Sequence, residues 1–210
     1  MPNWCSNTLQ VSGDTEILKD FVKKSSNNGA FTLEGLYPTP EELNQQSSPQ
    51  VYRGDENDEK SKEEYEQKIK LLRLKYGHTC WYEWRIHNWG TKWDASDSTI
   101  LENSDTLFEV SFETAWAPPS PWVEYVSKLY PELTFIIYYL EPGMDFCGRL
   151  QVGKNGYSLD ESNCDYADSD GDLVVYDEKL GKWKYPATIG AEEVIIEDED
   201  FSPNAINPFE

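Results

Sequence analysis

The sequence predicts an α+β fold in which helices cover one face of an antiparallel sheet. Of its 210 residues, 38% are apolar and 14% are aromatic, which is enough for a sizeable core. Hydrophobic residues recur with a period of two in some segments and near 3.6 in others. The resulting order is strand, helix, strand, an insertion with a helix, strand, helix, strand. This is the split βαβ, or ferredoxin-like, pattern with one large insertion.

The first elements follow from local signals. Residues 4–12 read as a strand. Asp14 is expected to cap a helix over residues 14–26, whose apolar positions have helical spacing. Residues 31–37 are predicted to form the second strand, and Thr39-Pro40-Glu41-Glu42 to begin a short helical turn.

The insertion is placed at about residues 41–100. Residues 44–62 have the composition of a solvated loop. Ser61-Lys62-Glu63-Glu64 reads as a capping box, which predicts a helix over residues 61–76. Beyond that helix, residues 81–93 contain four of the eight tryptophans, so this segment is expected to pack against the sheet.

The second half of the predicted core contains two strands and a helix. Residues 106–114 alternate between apolar and polar positions, which is typical of a strand with one buried face. Ser120 and Pro121 are expected to start a helix over residues 120–130 on the same face as the first helix. Residues 133–140 are almost continuously apolar, which predicts a central strand.

The remaining residues favour hairpins and a tail. Two hairpins are predicted, and residues 197–210 are expected to form an acidic tail. The hairpins pair residues 146–152 with 157–159 and residues 173–176 with 183–185. The chain is accordingly divided into a ferredoxin-like domain, residues 1–150, and an acidic β-hairpin extension and tail packed on it, residues 151–210.

Charge and cysteine usage limit the partners and the compartment. Eighteen Lys and Arg oppose 39 Asp and Glu, giving a net charge of −21, which disfavours a phosphate-binding surface. The four cysteines show no C-x-x-C pair and are expected to be reduced thiols. No signal-peptide pattern and no membrane-spanning run occurs, so we predict a cytoplasmic protein with no membrane partner.

The tryptophans allow two interpretations. Trp81, Trp84, Trp89, Trp93 and Trp116 could stack nucleic-acid bases, since exposed aromatic rings bind bases. They could equally fill the space between the sheet and the insertion. The core interpretation is favoured, because stacking platforms normally lie in positively charged grooves.

No complete catalytic or metal-binding motif occurs. His78, Cys80 and His87 match no standard zinc spacing. The acidic run at residues 168–172 departs from a calcium-binding EF-hand loop, because its glycine is at position 4 and Lys179 is at position 12. Neither of two possible catalytic sets, His87 with Cys80 and Asp94 or Glu113 with Glu141, has a diagnostic sequence context, and phosphate-binding loops are absent. We therefore assign no catalytic residue, metal or cofactor, and consider an enzyme the less favoured class.

Several specific motifs occur in order along the first 150 residues. They are Met1-Pro2-Asn3-Trp4-Cys5 with Asn7, Asn88-Trp89-Gly90-Thr91-Lys92-Trp93-Asp94, Thr114-Ala115-Trp116-Ala117-Pro118-Pro119, Glu141-Pro142-Gly143 and Phe146-Cys147-Gly148. With these motifs the chain resembles the YubB-like family of phage and plasmid proteins. The resemblance implies a ferredoxin-like domain and an origin in a mobile genetic element. It implies no reaction and transfers no catalytic residue.

The leading functional hypothesis is a non-enzymatic phage or plasmid accessory protein. It would act in the host cytoplasm by binding a basic host protein through an acidic surface, for instance as a DNA-mimic-like inhibitor of a host defence system. The carboxylates assigned to that surface are Asp165, Asp168, Asp170, Asp172, Glu192 and Glu193. One alternative is a single-stranded nucleic-acid-binding module that uses the tryptophans, and another is a metal-dependent hydrolase. The oligomeric state is left open.

Overall fold

The computed structural model describes most of the chain. The described residues are 3–55, 58–167, 173–177, 180, 182–185, 194–198 and 201–206. In chain order their elements are β1 (Trp4–Ser12), α1 (Thr15–Lys24), β2 (Ser26–Asn27), β3 (Ala30–Phe31), α2 (Glu41–Asn44), α3 (Glu59–Tyr76), α4 (Trp81–Asn88), β4 (Ser96–Asn103), β5 (Leu107–Ala115), α5 (Ser120–Leu129), β6 (Thr134–Glu141), β7 (Phe146–Gly153), β8 (Ser158–Ser162), β9 (Asp165–Ala167), β10 (Leu173–Asp177), β11 (Lys182–Tyr185), β12 (Val194–Ile195) and β13 (Asn204–Ile206).

The larger sheet confirms the predicted fold class. Its strands lie in the order β4-β5-β1-β6-β7-β8, and each neighbouring pair is antiparallel. Within it, β1, α1, β4, β5, α5 and β6 follow one another as in a split βαβ unit. The two strands that flank each helix are not neighbours in the sheet. β5 lies between β1 and β4, and β1 lies between β5 and β6, which gives the ferredoxin-like arrangement. As predicted, β6 lies inside the sheet.

The second strand of this unit is not where the sequence analysis placed it. Only Ala30–Phe31 of residues 30–37 is extended, and it forms a small hairpin with Ser26–Asn27. The second core strand is β4, which was not predicted. This strand is at the sheet edge and mostly exposed, so it shows none of the apolar alternation that marks a half-buried strand.

One hydrophobic core joins the helices to one face of the sheet. The Phe21 ring of α1 meets Phe108 of β5 and Phe135 of β6 edge-on, at centroid distances of 6.0 and 5.6 Å. Trp122 of α5 and Phe31 belong to the same cluster and contact each other at 5.7 Å. Both helices therefore cover the same face, as predicted, and the other face of the sheet is left open.

The insertion also packs on this core. Leu43 of α2, Leu72 of α3 and Trp84 of α4 all belong to the cluster that contains the sheet residues. The expectation that the tryptophan-rich segment packs against the sheet unit is confirmed for these helices. Burial of their apolar side chains is the reason the segment does not stand apart.

The helix starts show one correct and two wrong predictions. The Asp14 carboxylate accepts the Glu16 and Ile17 amides, so it caps α1 as expected. In contrast, α3 begins at Glu59, because Asp58 and not Ser61 provides the capping side chain. In α5 the expected cap, Ser120, is already helical, and the preceding position makes no side-chain capping bond.

The C-terminal strands are partly as predicted. β8 pairs with β7 and extends the larger sheet past residue 150, and β10 pairs with β11. The tail prediction is wrong for β13, which pairs with β9 in a second sheet.

The division into two domains stays a prediction. Among the described helices, none is long and apolar enough to span a membrane.

Candidate functional site at the tryptophan end of the sheet

The aromatic cluster assigned from the family motifs divides into two groups; its members are Trp4, Trp84, Trp89, Trp93 and Trp116. Trp84 and Trp89 are 6% and 0% exposed and belong to the core. Trp4, Trp93 and Trp116 are 40%, 38% and 41% exposed. The expectation that the tryptophans fill the core is therefore wrong for Trp93 and Trp116, and these two rings with Trp4 form the candidate site.

The buried pair has the contacts that a core indole needs. The Trp89 indole N–H donates to the Tyr37 carbonyl at 2.9 Å, and its ring meets Trp84 edge-on at 6.1 Å. The Arg85 guanidinium lies 4.6 Å from the Trp89 ring centre, and burial lowers the pKa of Arg85. These contacts satisfy the polar atom of a large buried ring, so Trp89 has a structural role.

The exposed group forms a continuous aromatic surface around one ammonium. The rings of Trp4 and Trp93 are 5.9 Å apart and tilted by 42°. The Lys92 ammonium lies 3.9 Å from the centre of the Trp93 ring and 3.7 Å from that of Trp116. We call Trp4, Trp93, Trp116 and Lys92 the tryptophan surface. The faces of indole rings attract cations, and the Lys92 ammonium lies in such a position over Trp93 and Trp116.

Three separate segments are tied together to build this surface. Trp4 opens β1 and pairs with Ala115 at the end of β5. The Thr91 hydroxyl, one residue before Lys92, donates to the Ala115 carbonyl at 3.0 Å and accepts the Ala115 amide at 3.1 Å. Trp116 follows directly, and its amide donates to the Asn3 carbonyl at 3.0 Å. The surface is therefore held by the end of the sheet.

The backbone at Trp116 is strained. Its φ is 70°, in the left-handed region that a bulky residue rarely adopts. A non-glycine residue there costs about 1–2 kcal/mol, which glycine would avoid. Strain of this kind concentrates at functional positions, which makes Trp116 a candidate functional residue.

Beneath the surface lies a buried polar layer. The Asn7 side-chain amide donates to the carbonyls of Cys5 and Phe112 and to the Thr114 hydroxyl, at 2.7, 3.3 and 2.9 Å. The Cys5 thiol faces the Asn7 side-chain oxygen at 3.8 Å. Burial, with the nearby carboxylates of Glu141 and Glu113, raises the pKa of Cys5. This thiol stays neutral and is unsuited to act as a nucleophile.

A small pocket adjoins the tryptophan surface on the open face of the sheet. It has a volume of about 200 Å³. None of its lining residues is basic, and its polar lining residues include Ser6, Thr8, Asp97, Ser111, Glu113 and Tyr138. Ser6 is two residues from Trp4 on the same face of β1, and it pairs with Glu113 of β5. We call this the sheet-face pocket.

Glu113 is the distinctive residue of this pocket. One carboxylate oxygen accepts the Ser6 hydroxyl at 2.8 Å. The other oxygen is buried and, within the described part of the chain, has no hydrogen-bond partner. A carboxylate that lacks donors favours a ligand that supplies them, and guanidinium and ammonium groups are rich in donors.

The other predicted site residues do not form a catalytic centre in the described residues. Glu141, one half of a possible carboxylate pair, is buried and accepts the amides of Gly143 and Met144, which fixes a turn. Asp94 accepts the Leu33 amide and the Thr32 hydroxyl, each at 2.6 Å, and so holds the loop after β3.

The possible metal ligands are only partly brought together. The His78 and His87 rings are 5.0 Å apart, and burial, with the neighbouring His87, lowers the pKa of His78. Cys80 is buried. Considering described residues only, no group of three or more His, Cys, Asp or Glu side chains is placed to hold a metal ion.

The predicted acidic surface is placed for one residue. Asp165 lies exposed in β9. Asp168, Asp170, Asp172, Glu192 and Glu193 lie outside the described residues.

Sequence reasoning did not assign Lys92 and Glu113 to a binding site. The available signals were a lysine between two tryptophan motifs and a glutamate on the polar side of an alternating strand.

Comparison with protein-family models supports the fold. Residues 88–179, which include β4 to β8, match a family model described as the ferredoxin-like domain in Api92-like protein. The crystal structure of protein api92 from Yersinia pseudotuberculosis is similar over 78% of this chain and 98% of that chain, with 9% sequence identity and a TM-score of 0.48. No curated protein matches the sequence.

Proposed function

We propose that this chain is a non-enzymatic accessory protein that binds a basic partner protein at the tryptophan end of its sheet. The observation that supports this most strongly is the juxtaposition of three half-exposed tryptophans with a carboxylate-lined pocket. The proposal moves the binding site from the C-terminal carboxylates to the open face of the sheet. It retains the acidic character of the surface.

The chemistry of the site favours a protein partner. Tryptophan and arginine dominate the energetics of protein interfaces. An arginine side chain can stack on an indole and donate to a carboxylate at the same time, and the site offers both groups side by side. The net charge of −21 would also steer a basic protein toward this one.

Single-stranded nucleic acid is the second candidate. The exposed rings of Trp4, Trp93 and Trp116 beside the Lys92 ammonium would suit base stacking. The carboxylates of Glu113 and Asp97 line the adjacent pocket and would repel the phosphates. For this reason the protein partner is preferred.

The wider biological proposal is that the chain comes from a phage or plasmid and acts on a host protein in the host cytoplasm. The tryptophan-centred motifs support the origin through the resemblance to YubB-like proteins. The excess of carboxylates supports mimicry of nucleic-acid charge as one mode of action, directed at a nucleic-acid-binding component of a defence system. A partner bound in this way should dissociate as salt rises, and DNA should compete for it.

The testing experiment is affinity capture with full-length protein from bacterial lysate, followed by titration of the captured, purified protein. We expect Glu113→Gln to weaken binding by roughly tenfold, because a pocket carboxylate loses its charge. Glu109→Gln is the matched control. Glu109 lies on the same face of β5 as Glu113 and outside the pocket. Glu109→Gln therefore removes the same charge at a different place.

Equal affinity of the two variants would remove the pocket from the proposal. Capture of nucleic acid in preference to protein, with binding lost on mutation of the tryptophans, would support the second candidate instead.

A further inference from the structure

The helix α3 uses only a narrow stripe for packing. Of its 18 residues, Leu72 is buried, and Ile69 and Tyr76 pack against the core from the same side. The remaining sides face solvent. An exposed helix of this length stands out in a structure whose shorter amphipathic helices bury more, two residues in α1 and four in α5.

Two leucines lie on the exposed side of α3. Leu71 is 65% exposed and Leu74 is 75% exposed. Both line a groove of about 710 Å³ between α3 and α2. Single exposed leucines are ordinary on protein surfaces, but two of them together beside a groove indicate a contact surface.

The charges of α3 are divided between its two halves. Residues 59–66 contain four glutamates and two lysines. Residues 67–76 contain four basic residues and no acidic residue. The second half is thus a basic segment in a chain of net charge −21.

This division is complementary to itself when two copies of the helix run antiparallel. The acidic half of one copy then lies against the basic half of the other, and the two contacts are identical by symmetry. A two-fold arrangement of this kind is the commonest form of homo-oligomer. We propose that two copies of this chain associate through the outer side of α3, with the two helices antiparallel.

The spacing of the outer residues defines a register for this pairing. Glu64, Lys68, Leu71 and Lys75 follow one another at intervals of four and three residues, as in a helix-helix seam. If Glu64 lies opposite Lys75 of the second copy, Leu71 lies opposite Lys68 of the second copy. The leucine then packs on the aliphatic stem of the lysine, whose ammonium stays in water. Lys75 already contacts Glu42 at 3.0 Å across the groove, which holds the ammonium near this seam.

Other occupants fit this surface less well. Phosphate groups of a nucleic acid would meet Glu42 and Glu64, which also line the groove. A membrane surface would need a wider apolar stripe than two leucines provide. The tryptophan surface and the sheet-face pocket share no residue with this groove, so the inference is independent of the proposed function.

The contact is expected to be weak. An 18-residue helix is about 27 Å long, and one helix pair buries less surface than a stable dimer of ordinary size. The overall negative charge also opposes association. Dimers should therefore form at protein concentrations on the order of 100 µM and above.

The test is sedimentation equilibrium of the full-length protein from about 10 µM to about 1 mM, a range that brackets weak association. We expect the average mass to rise toward twice that of one chain. Leu71→Glu with Leu74→Glu should keep the protein monomeric throughout. Leu101→Glu, which changes a 55% exposed leucine on β4, is the matched control and should associate like the unmodified protein.

A charge exchange tests the antiparallel arrangement itself. Glu63→Lys with Glu64→Lys makes one protein whose helix halves are both basic. Lys68→Glu with Lys75→Glu makes another whose second half has no net charge and repels Glu64 of the second copy at position 75. Each should fail to associate alone, and the mixture should recover association to within roughly threefold of the unmodified protein. Circular dichroism checks that every variant is folded.

Three outcomes overturn the inference. They are a monomeric unmodified protein at all concentrations, unchanged association in the double leucine variant, and a mixture of the two charge variants that stays monomeric. Loss of association in Leu101→Glu, with the double leucine variant unaffected, would transfer the contact to the β4 edge.

Discussion

The molecule uses tryptophan in two different ways at neighbouring positions of one segment. Trp89 directly follows α4, is fully buried and donates its indole N–H to the Tyr37 carbonyl. Trp93, four residues later, lies half-exposed against Trp4 and Lys92. The turn between them carries the chain from the helix-covered core to the end of the sheet. The difference teaches that one motif can bury one tryptophan in the core and leave another exposed, where the proposed function would use it.

The largest expected effect is at the buried position. Trp89→Ala removes a fully buried ring and leaves the Tyr37 carbonyl without its donor. We expect a loss of about 3–5 kcal/mol in the free energy of unfolding, measured by urea denaturation. Trp122→Ala, which also removes a fully buried indole, should behave alike. A change below about 1 kcal/mol in both variants would contradict the assignment of these rings to the core.

Thiol reactivity sharpens the comparison, because Cys5 lies directly after the exposed Trp4 yet is fully buried. All four cysteines are free and buried. We expect iodoacetamide at pH 8 to leave them unmodified in the folded protein and in Trp4→Ala, and to modify them in Trp89→Ala under mild denaturant. Rapid labelling of Cys5 in the unmodified protein would show that the tryptophan end opens readily.

The same thiols make stability depend on alkaline pH. Burial raises the pKa of Cys164 to about 12. The neutral thiol is the favoured form in the folded protein, whereas the unfolded chain loses this proton as pH rises past 9. The contribution to stability is therefore complete below pH 9 and declines as pH rises toward 12. The urea midpoint should fall between pH 9 and pH 11, and Cys164→Ala should reduce that fall.

A smaller effect on stability distinguishes the backbone strain at Trp116 from the contacts made by its ring. Both Trp116→Ala and Trp116→Gly remove the ring, but only glycine accepts a φ of 70° without penalty. The glycine variant should be more stable than the alanine variant by about 1 kcal/mol. Equal unfolding midpoints would mean that the backbone at this position relaxes and that no strain is maintained.

Sequence reasoning located the fold because the helices carry their own signals. The Asp14 cap and the apolar spacing of α1 were readable without tertiary information. β4 was missed because an exposed edge strand buries too little to impose alternation, and its place in the sheet depends on pairing with β5. For the same reason the prediction assigned its role to residues 31–37.

The candidate site was only half predictable. Its three tryptophans stood out in composition, but exposure of a ring depends on what the fold places over it. The sheet-face pocket depends on strand register, which sets Ser6 beside Glu113 although they are 107 residues apart in the chain. Register follows from the pairing of whole strands, and no local motif encodes it.

The central claim is that the exposed rings serve binding and the buried rings serve stability. Its most direct test measures the double variant Trp4→Ala with Trp93→Ala, which changes two half-exposed rings. Tyr157→Ala is the control, because it removes an exposed ring elsewhere. We predict that the double variant loses about 1 kcal/mol of stability per ring at most, and that its affinity for the captured partner falls at least roughly tenfold. Unchanged affinity together with a loss of stability comparable to that of Trp89→Ala would contradict the account.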